Sequence, residues 1–150
     1  IECLVQPSPD AVALDCGSLV SGSITPASEV DLFTFSGAEG DVVALTITGS
    51  QMVARVFGPS GMAVPGFFSG TQQVLTLAES GTYTVEVVGS GFVATGEYSL
   101  GLECLVQPSP DAVALDCGSL VSGSITTASE VDLFTFSGAE GDVVSLTKTS

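Results

Sequence analysis

The chain has 150 residues, of which 17 are acidic and only two, Arg55 and Lys148, are basic, so its formal net charge is −15. Such a charge repels phosphate backbones, and we expect no nucleic-acid partner. His and Asn are both absent. Without His the commonest general base and metal ligand is missing, so we predict no enzyme, no catalytic or cofactor-binding residues and no cofactor.

The first predicted element is a linker, residues 1–16, bracketed by Cys3 and Cys16. Its prolines favour extended polyproline II backbone. The same bracket returns at Cys104 and Cys117, and four Cys in an exported chain are expected to pair. We prefer Cys3–Cys16 with Cys104–Cys117, because this pairing uses all four thiols and closes each linker. The alternative is Cys16–Cys104, which ties the first strand of a domain to its exit.

Residues 17–103 are predicted to form one complete β-sandwich repeat. Apolar residues alternate with polar ones along short segments, the pattern of half-buried strands, and Gly-rich turns separate these segments. We find no segment with helical periodicity. The prediction is an all-β, antiparallel sandwich of jelly-roll or immunoglobulin-like type, with disulfide-closed linkers between tandem repeats. The aromatic residues predicted to fill its core are Phe33, Phe35, Phe57, Tyr83 and Tyr98.

Two pairs of carboxylates lie at the start of the predicted strand at residues 31–35 and in the turn that follows it. They are Glu29 with Asp31 and Glu39 with Asp41, and both pairs recur 101 residues later. Hard oxygen ligands at this spacing suit calcium. The other interpretation is that Asp31 bonds a local turn while the rest are solvated. Because the chain contains no EF-hand loop, we expect no metal, with calcium on these four residues as the alternative.

An internal repeat organises the remainder of the chain. Residues 1–49 and 102–150 are identical at 44 of 49 positions when aligned with an offset of 101. We therefore predict a second linker at 104–117 and, at 118–150, the N-terminal half of a second repeat. Half a sandwich exposes its apolar face and its strand edges, so we expect a neighbour or further sequence to complete it. The differing pairs are Ile1/Leu102, Pro26/Thr127, Ala44/Ser145, Ile47/Lys148 and Gly49/Ser150.

Several segments together resemble one bacterial family. VSGSIT followed by EVDLFTFSGAEGDVVALTIT, then ARVFGPSG, then SGTYTVEVVGSG and GEYSLGL, are similar to the pre-peptidase C-terminal (PPC) domain. The likeness covers about residues 17–102 and resumes at 118. It implies a compact β-sandwich in a secreted protein, often beside a protease, acting as an accessory module without activity of its own. The Cys-bracketed segment between the repeats departs from the family's pattern.

These features favour a structural role. We predict a subunit of an extracellular tandem-repeat fibre, filament or cell-surface stalk, whose partners are copies of itself and which assembles by β-strand complementation. The alternative is an accessory binding or adhesion module of an exported bacterial protein that recognises a polysaccharide or a protein. The apolar residues come in short runs, so we expect no membrane insertion.

Overall fold

Ten short strands make up the ordered framework of the computed structural model, which describes residues 10–66, 68–107 and 110–150. A single turn of 3₁₀ helix at Ser90–Phe92 interrupts them. In chain order the strands are β1 (Val12–Ala13), β2 (Ser18–Ile24), β3 (Val30–Gly37), β4 (Val42–Thr48), β5 (Met52–Phe57), β6 (Gln72–Thr76), β7 (Gly81–Gly89), β8 (Gly96–Cys104), β9 (Val113–Ala114) and β10 (Phe134–Thr135).

The strands form two four-stranded sheets and one small pair. The first sheet has the order β1-β3-β7-β5 and the second has the order β2-β8-β4-β6. All pairings inside these sheets are antiparallel except that of β1 with β3, which is parallel. The predicted all-β antiparallel sandwich is therefore confirmed. The division of the chain at residues 17, 104 and 118 remains a prediction.

The core lies between the two sheets and is built from the alternating residues. Val85 and Val87 from the first sheet, and Leu45 and Leu100 from the second, are fully buried. The predicted aromatic residues Phe33, Phe35, Tyr83 and Tyr98 belong to this core. Phe35 stacks on Tyr83 with ring centroids 5.2 Å apart, while Phe33 meets Tyr98 edge to face at 6.3 Å. Burying these large rings supplies much of the hydrophobic free energy of a small domain.

The disulfide corrects our preferred pairing. Cys16 is bonded to Cys104, with Cα atoms 5.3 Å apart, while Cys117 carries a free, exposed thiol. Cys3 lies outside the described residues. The physical reason is the register of β2 on β8: the Gly17 amide donates to the Leu102 carbonyl at 2.9 Å, which brings Cys16, just before β2, beside Cys104, the last residue of β8. The bond therefore closes the sandwich rather than the linker.

Residues 118–150 contain one two-residue strand, β10, which pairs with β9 from the preceding linker. The pair repeats β1 and β3 position for position, since Val113 lies opposite Phe134 as Val12 lies opposite Phe33. Identical side chains differ sharply in burial between the copies. Phe35 is 3% exposed and Phe136 is 50% exposed, while Leu45 is 0% exposed and Leu146 is 72% exposed. The second copy thus repeats the local structure of the first without its core.

Candidate functional site

A cleft lies where the edge of the first sheet meets strand β2 of the second. Its volume is about 240 Å³, and Asp31 and Tyr98 form part of its wall. The Tyr98 hydroxyl donates a hydrogen bond to the Asp31 carboxylate, which links the two sheets. Gly22 makes room for this contact, because a Cβ atom at that position would overlap the Tyr98 ring and hydroxyl. The remaining lining residues are Asp10, Ala11, Val12, Ser21, Val30, Leu32 and Phe33.

The electrostatics of this cleft favour a neutral phenol. Burial raises the pKa of Tyr98 well above its ordinary range, and the hydrogen bond to Asp31 and the negative charges of Asp31 and Glu29 raise it further. A phenol held protonated beside a carboxylate donates a charge-assisted hydrogen bond and cannot act as a base near neutral pH. The pair therefore acts as a polar contact between the sheets.

A cluster of hydroxyl groups lies on the outer face of the second sheet. The Ser129 hydroxyl is 3.0 Å from the Thr48 hydroxyl and donates to the Ser99 carbonyl at 3.0 Å. The Ser99 hydroxyl donates to the Ala128 carbonyl at 2.8 Å. These bonds seat the turn at residues 127–130, which belongs to the second copy, on the sheet of the first. The pattern of the sequence predicted no contact here, because Ser129 lies in an irregular turn.

The β7–β8 loop presents two exposed apolar side chains, Phe92 and Val93. Phe92 has a left-handed backbone conformation, with φ of 58°, and its ring centroid lies 5.8 Å from the Arg55 guanidinium. Arg55 also lies 5.6 Å from the Phe57 ring and forms an ion pair with the buried Glu86. We call Phe92, Val93 and Arg55 the β7–β8 loop surface. Aromatic and Arg side chains are enriched at the centres of protein interfaces.

Phe57, which was also predicted to fill the core, is buried but lies outside the main core cluster. Met52, Ala54 and Val56 alternate inward along β5 and belong to the core cluster. Phe57 has the opposite parity, so it is buried on the outer face of the sheet, against Arg55.

Three of the four predicted carboxylates accept hydrogen bonds within the fold. Glu29 accepts a hydrogen bond from the Thr25 amide at 2.7 Å, and Asp41 accepts one from the Ala38 amide at 2.9 Å. Asp31 bonds Tyr98 across the sheets rather than a local turn, and Glu39 is exposed. Across the described residues, no group of three or more Cys, Asp or Glu side chains is placed to hold a metal ion. Calcium on these four residues stays a prediction.

Comparisons with known proteins show which solved structures share this fold. No protein-family model and no curated protein matches the chain. The crystal structure of PliG from Aeromonas hydrophila, a periplasmic inhibitor of g-type lysozyme, is 19% identical, with a TM-score of 0.56 over 63% of this chain and 96% of PliG. The Salmonella Typhimurium PliG and the pre-peptidase C-terminal domain of Bacillus anthracis collagenase are each 18% identical, with TM-scores of 0.51 over 65% of this chain and 100% of theirs.

The chain has a PPC-like β-sandwich fold. The resemblance seen in the sequence is thereby confirmed at the level of fold, since identities below one fifth carry no more than the architecture. In this PPC-like sandwich the Asp31–Tyr98 cleft is lined by residues of β1, β2, β3 and β8, and the β7–β8 loop surface lies beside strand β5. Among the described residues, no helix has the length and apolar character needed to cross a bilayer.

Proposed function

We propose that this chain is a binding module of an exported bacterial protein, that its partner is a protein, and that it contacts this partner through the β7–β8 loop surface. The observation that carries the proposal is Phe92, half exposed at a loop tip and packed on Arg55. Leaving a large aromatic ring in water costs hydrophobic free energy, which an interface recovers when it covers the ring.

Three further observations support the proposal. The fold similarity extends over 96% and 100% of the two PliG proteins, which are periplasmic inhibitors of g-type lysozyme. The Cys16–Cys104 disulfide suits an oxidising, extracytoplasmic compartment. The net charge of −15 would also accelerate encounter with a basic protein at low salt.

A g-type lysozyme is the first protein partner to test. We expect the chain to bind the immobilised enzyme and to slow its cleavage of peptidoglycan. Replacing Phe92 and Val93 with Ala should weaken binding by roughly tenfold or more, since truncating a central interface residue typically costs more than 1 kcal/mol. Met62→Ala, at another exposed apolar residue in the β5–β6 loop, is the matched control and should bind like the parent.

The outcomes separate the parts of the proposal. Equal binding by the loop variant would move the contact surface elsewhere on the sandwich. A parent chain that fails to bind the lysozyme would remove that partner. If the parent also sediments with insoluble peptidoglycan alone, the recognised partner is a polysaccharide rather than a protein.

A second candidate function is a subunit of a tandem-repeat fibre at the cell surface. It is favoured by the apolar side chains that the second copy exposes, among them Phe134, Phe136, Leu146 and Ile125, whose equivalents in the first copy are buried. Strands donated by a neighbouring molecule would cover them, as in β-strand complementation.

Light scattering coupled to size-exclusion chromatography tests this second function. A fibre subunit should give a molar mass that rises with protein concentration, well above the 15.0 kDa of one chain. Phe136→Ser should lower this association, because it removes a ring that the added strands would bury. A monodisperse monomer at every concentration would contradict completion by a second molecule.

A further inference from the structure

We infer that three residues of the second copy, Ser145, Lys148 and Ser150, prevent this copy from pairing with residues 50–101. Residues 50–101 therefore form the sandwich with the first copy, and Cys104 bonds Cys16 rather than Cys117. The choice is between two copies of the same strands, at residues 1–49 and 102–150, as pairing partners within one chain. The inference does not rest on either proposed function.

Residues 50–101 have two nearly identical candidates inside the same chain. In the sandwich, strand β7 pairs with β3, and strand β8 lies between β2 and β4. The segments equivalent to β2, β3 and β4 in the second copy are residues 119–125, 131–138 and 143–149. All but two of their residues match the first copy, so the same backbone pairing is open to both.

The second copy is already shaped for this role. Strands β9 and β10 reproduce the register of β1 and β3. The turns are also repeated: the Thr126 amide donates to Glu130 at 2.7 Å as Thr25 does to Glu29, and the Ala139 amide donates to Asp142 as Ala38 does to Asp41. These turns and the β9–β10 pair therefore do not distinguish the copies.

Chain connectivity does not favour the first copy either. Residues 50–101 are joined directly to the first copy on one side and to the second copy on the other. The Cys16–Cys104 bond closes a loop with a sequence separation of 88 residues, whereas Cys117 is only 13 residues beyond Cys104. Closing the shorter loop costs less chain entropy. Something in the side chains must therefore oppose the second copy.

All three differences lie at buried or conformationally restricted positions of the first copy. Lys148 corresponds to Ile47, which is fully buried opposite Leu100, so its ammonium group would enter an apolar core. Ser150 corresponds to Gly49, whose φ is 144° and where a Cβ atom would lie 2.7 Å from the Glu97 carbonyl oxygen. Ser145 corresponds to Ala44, a buried residue opposite Glu103, and adds a hydroxyl there.

The thiols provide a readout of the choice. If the second copy replaced the first in pairing with residues 50–101, Cys117 would lie beside Cys104. The Cys117 thiolate would then attack the Cys104 sulfur, the Cys104–Cys117 bond would form, and Cys16 would leave as a thiolate. This exchange is balanced without an external oxidant. In the protein as it stands Cys117 remains a free, exposed thiol.

An exchange of the three residue pairs tests the inference without changing the composition. The variant combines Ala44→Ser, Ile47→Lys and Gly49→Ser with Ser145→Ala, Lys148→Ile and Ser150→Gly. After refolding from the reduced chain in a glutathione buffer, we expect the Cys104 linkage to move from Cys16 to Cys117. Cleavage before Asp residues places each of the four cysteines in a different peptide, so mass spectrometry of the unreduced digest identifies the pair.

Two further variants sharpen the result. Reversing only Ser145, Lys148 and Ser150 leaves two competent copies, and roughly half of the molecules or more should then carry Cys104–Cys117, given the shorter loop. Thr127→Pro, the reversal of a difference at an exposed turn, is the control and should keep Cys16–Cys104. The inference is overturned if the exchanged variant keeps Cys16–Cys104, if it yields no ordered linkage, or if the parent refolds to Cys104–Cys117.

Discussion

At Tyr98 a single hydroxyl joins the two sheets through Asp31. Replacing Tyr98 with Phe should lower the free energy of unfolding by about 1.5–3 kcal/mol, the range for a hydrogen bond to a charged group. Burial and the neighbouring negative charges raise the folded pKa of Tyr98 above the value of about 10 that it has in the unfolded chain. This contribution is therefore fully present below about pH 10 and is lost as the pH rises through the folded pKa.

Two measurements check this prediction. Urea titrations of the parent and the Tyr98→Phe variant should differ most between neutral pH and pH 9, and the difference should shrink above pH 10. Absorbance near 295 nm follows phenol ionisation, and subtracting the variant's titration from the parent's isolates Tyr98. A subtracted transition at the ordinary phenol pKa would show that the hydroxyl is not held by Asp31.

Single residues also mark where inference from sequence reached its limit. Phe33, Phe35, Tyr83 and Tyr98 were predicted to be core residues because period-two alternation reports which face of a strand is buried. Phe57 is also buried, but it lies outside the main core cluster and contacts Arg55, a placement that alternation does not encode. Phe92 belongs to an irregular loop, where no periodic pattern exists to predict exposure.

At the scale of strands and turns, the docked turn at residues 127–130 rests on a glycine. A Cβ atom at Gly101 would lie 2.7 Å from the Ser129 carbonyl oxygen, which is closer than packed atoms approach. Gly101→Ala should therefore displace this turn from the sheet while leaving the sandwich folded, since the other nearby atom, Leu19 Cδ1, is at an ordinary 3.8 Å. The lost hydrogen bonds each contribute about 1 kcal/mol.

Proteolysis after Glu130 reports this displacement. A protease specific for Glu should cut there roughly tenfold faster or more in Gly101→Ala than in the parent, because cleavage follows the population of the open form. Cleavage after Glu140, an exposed residue outside the docked turn, should be unchanged. Gly138→Ala, which meets no atom within 4 Å, is the matched control. Equal rates at Glu130 in all three proteins would mean that the turn is not seated.

Strand positions were predictable, but strand partners were not. The alternating runs predicted β3, β4, β7 and β8 because each strand buries one face, a local property of the sequence. The pairing of Cys16 with Cys104 depends on β2 lying against β8, which are distant in sequence, whereas the preference for local pairs rested on using all four thiols. The docking of Ser129 on Ser99 is a long-range contact of the same kind.

For the whole molecule, the disulfide is a large contribution to the free energy of unfolding of the sandwich. Cys16 precedes the edge strand β2 and Cys104 ends the central strand β8, so the bond fastens one edge of the second sheet. Cross-linking residues with a sequence separation of 88 removes about 4–5 kcal/mol of chain entropy from the unfolded state. Small domains are stable by only about 5–15 kcal/mol in total, so this one bond decides whether the fold is robust or marginal.

Replacing Cys16 and Cys104 together with Ser should therefore lower the free energy of unfolding by about 4–5 kcal/mol, as measured by urea denaturation without reductant. Cys117→Ser is the matched control and should unfold like the parent, because its thiol is free and exposed. A mixture of folded and unfolded chains before urea is added would be consistent with this loss. The opposite result, in which Cys117→Ser destabilises the sandwich and the double variant does not, would show that Cys117 rather than Cys16 holds Cys104 in solution.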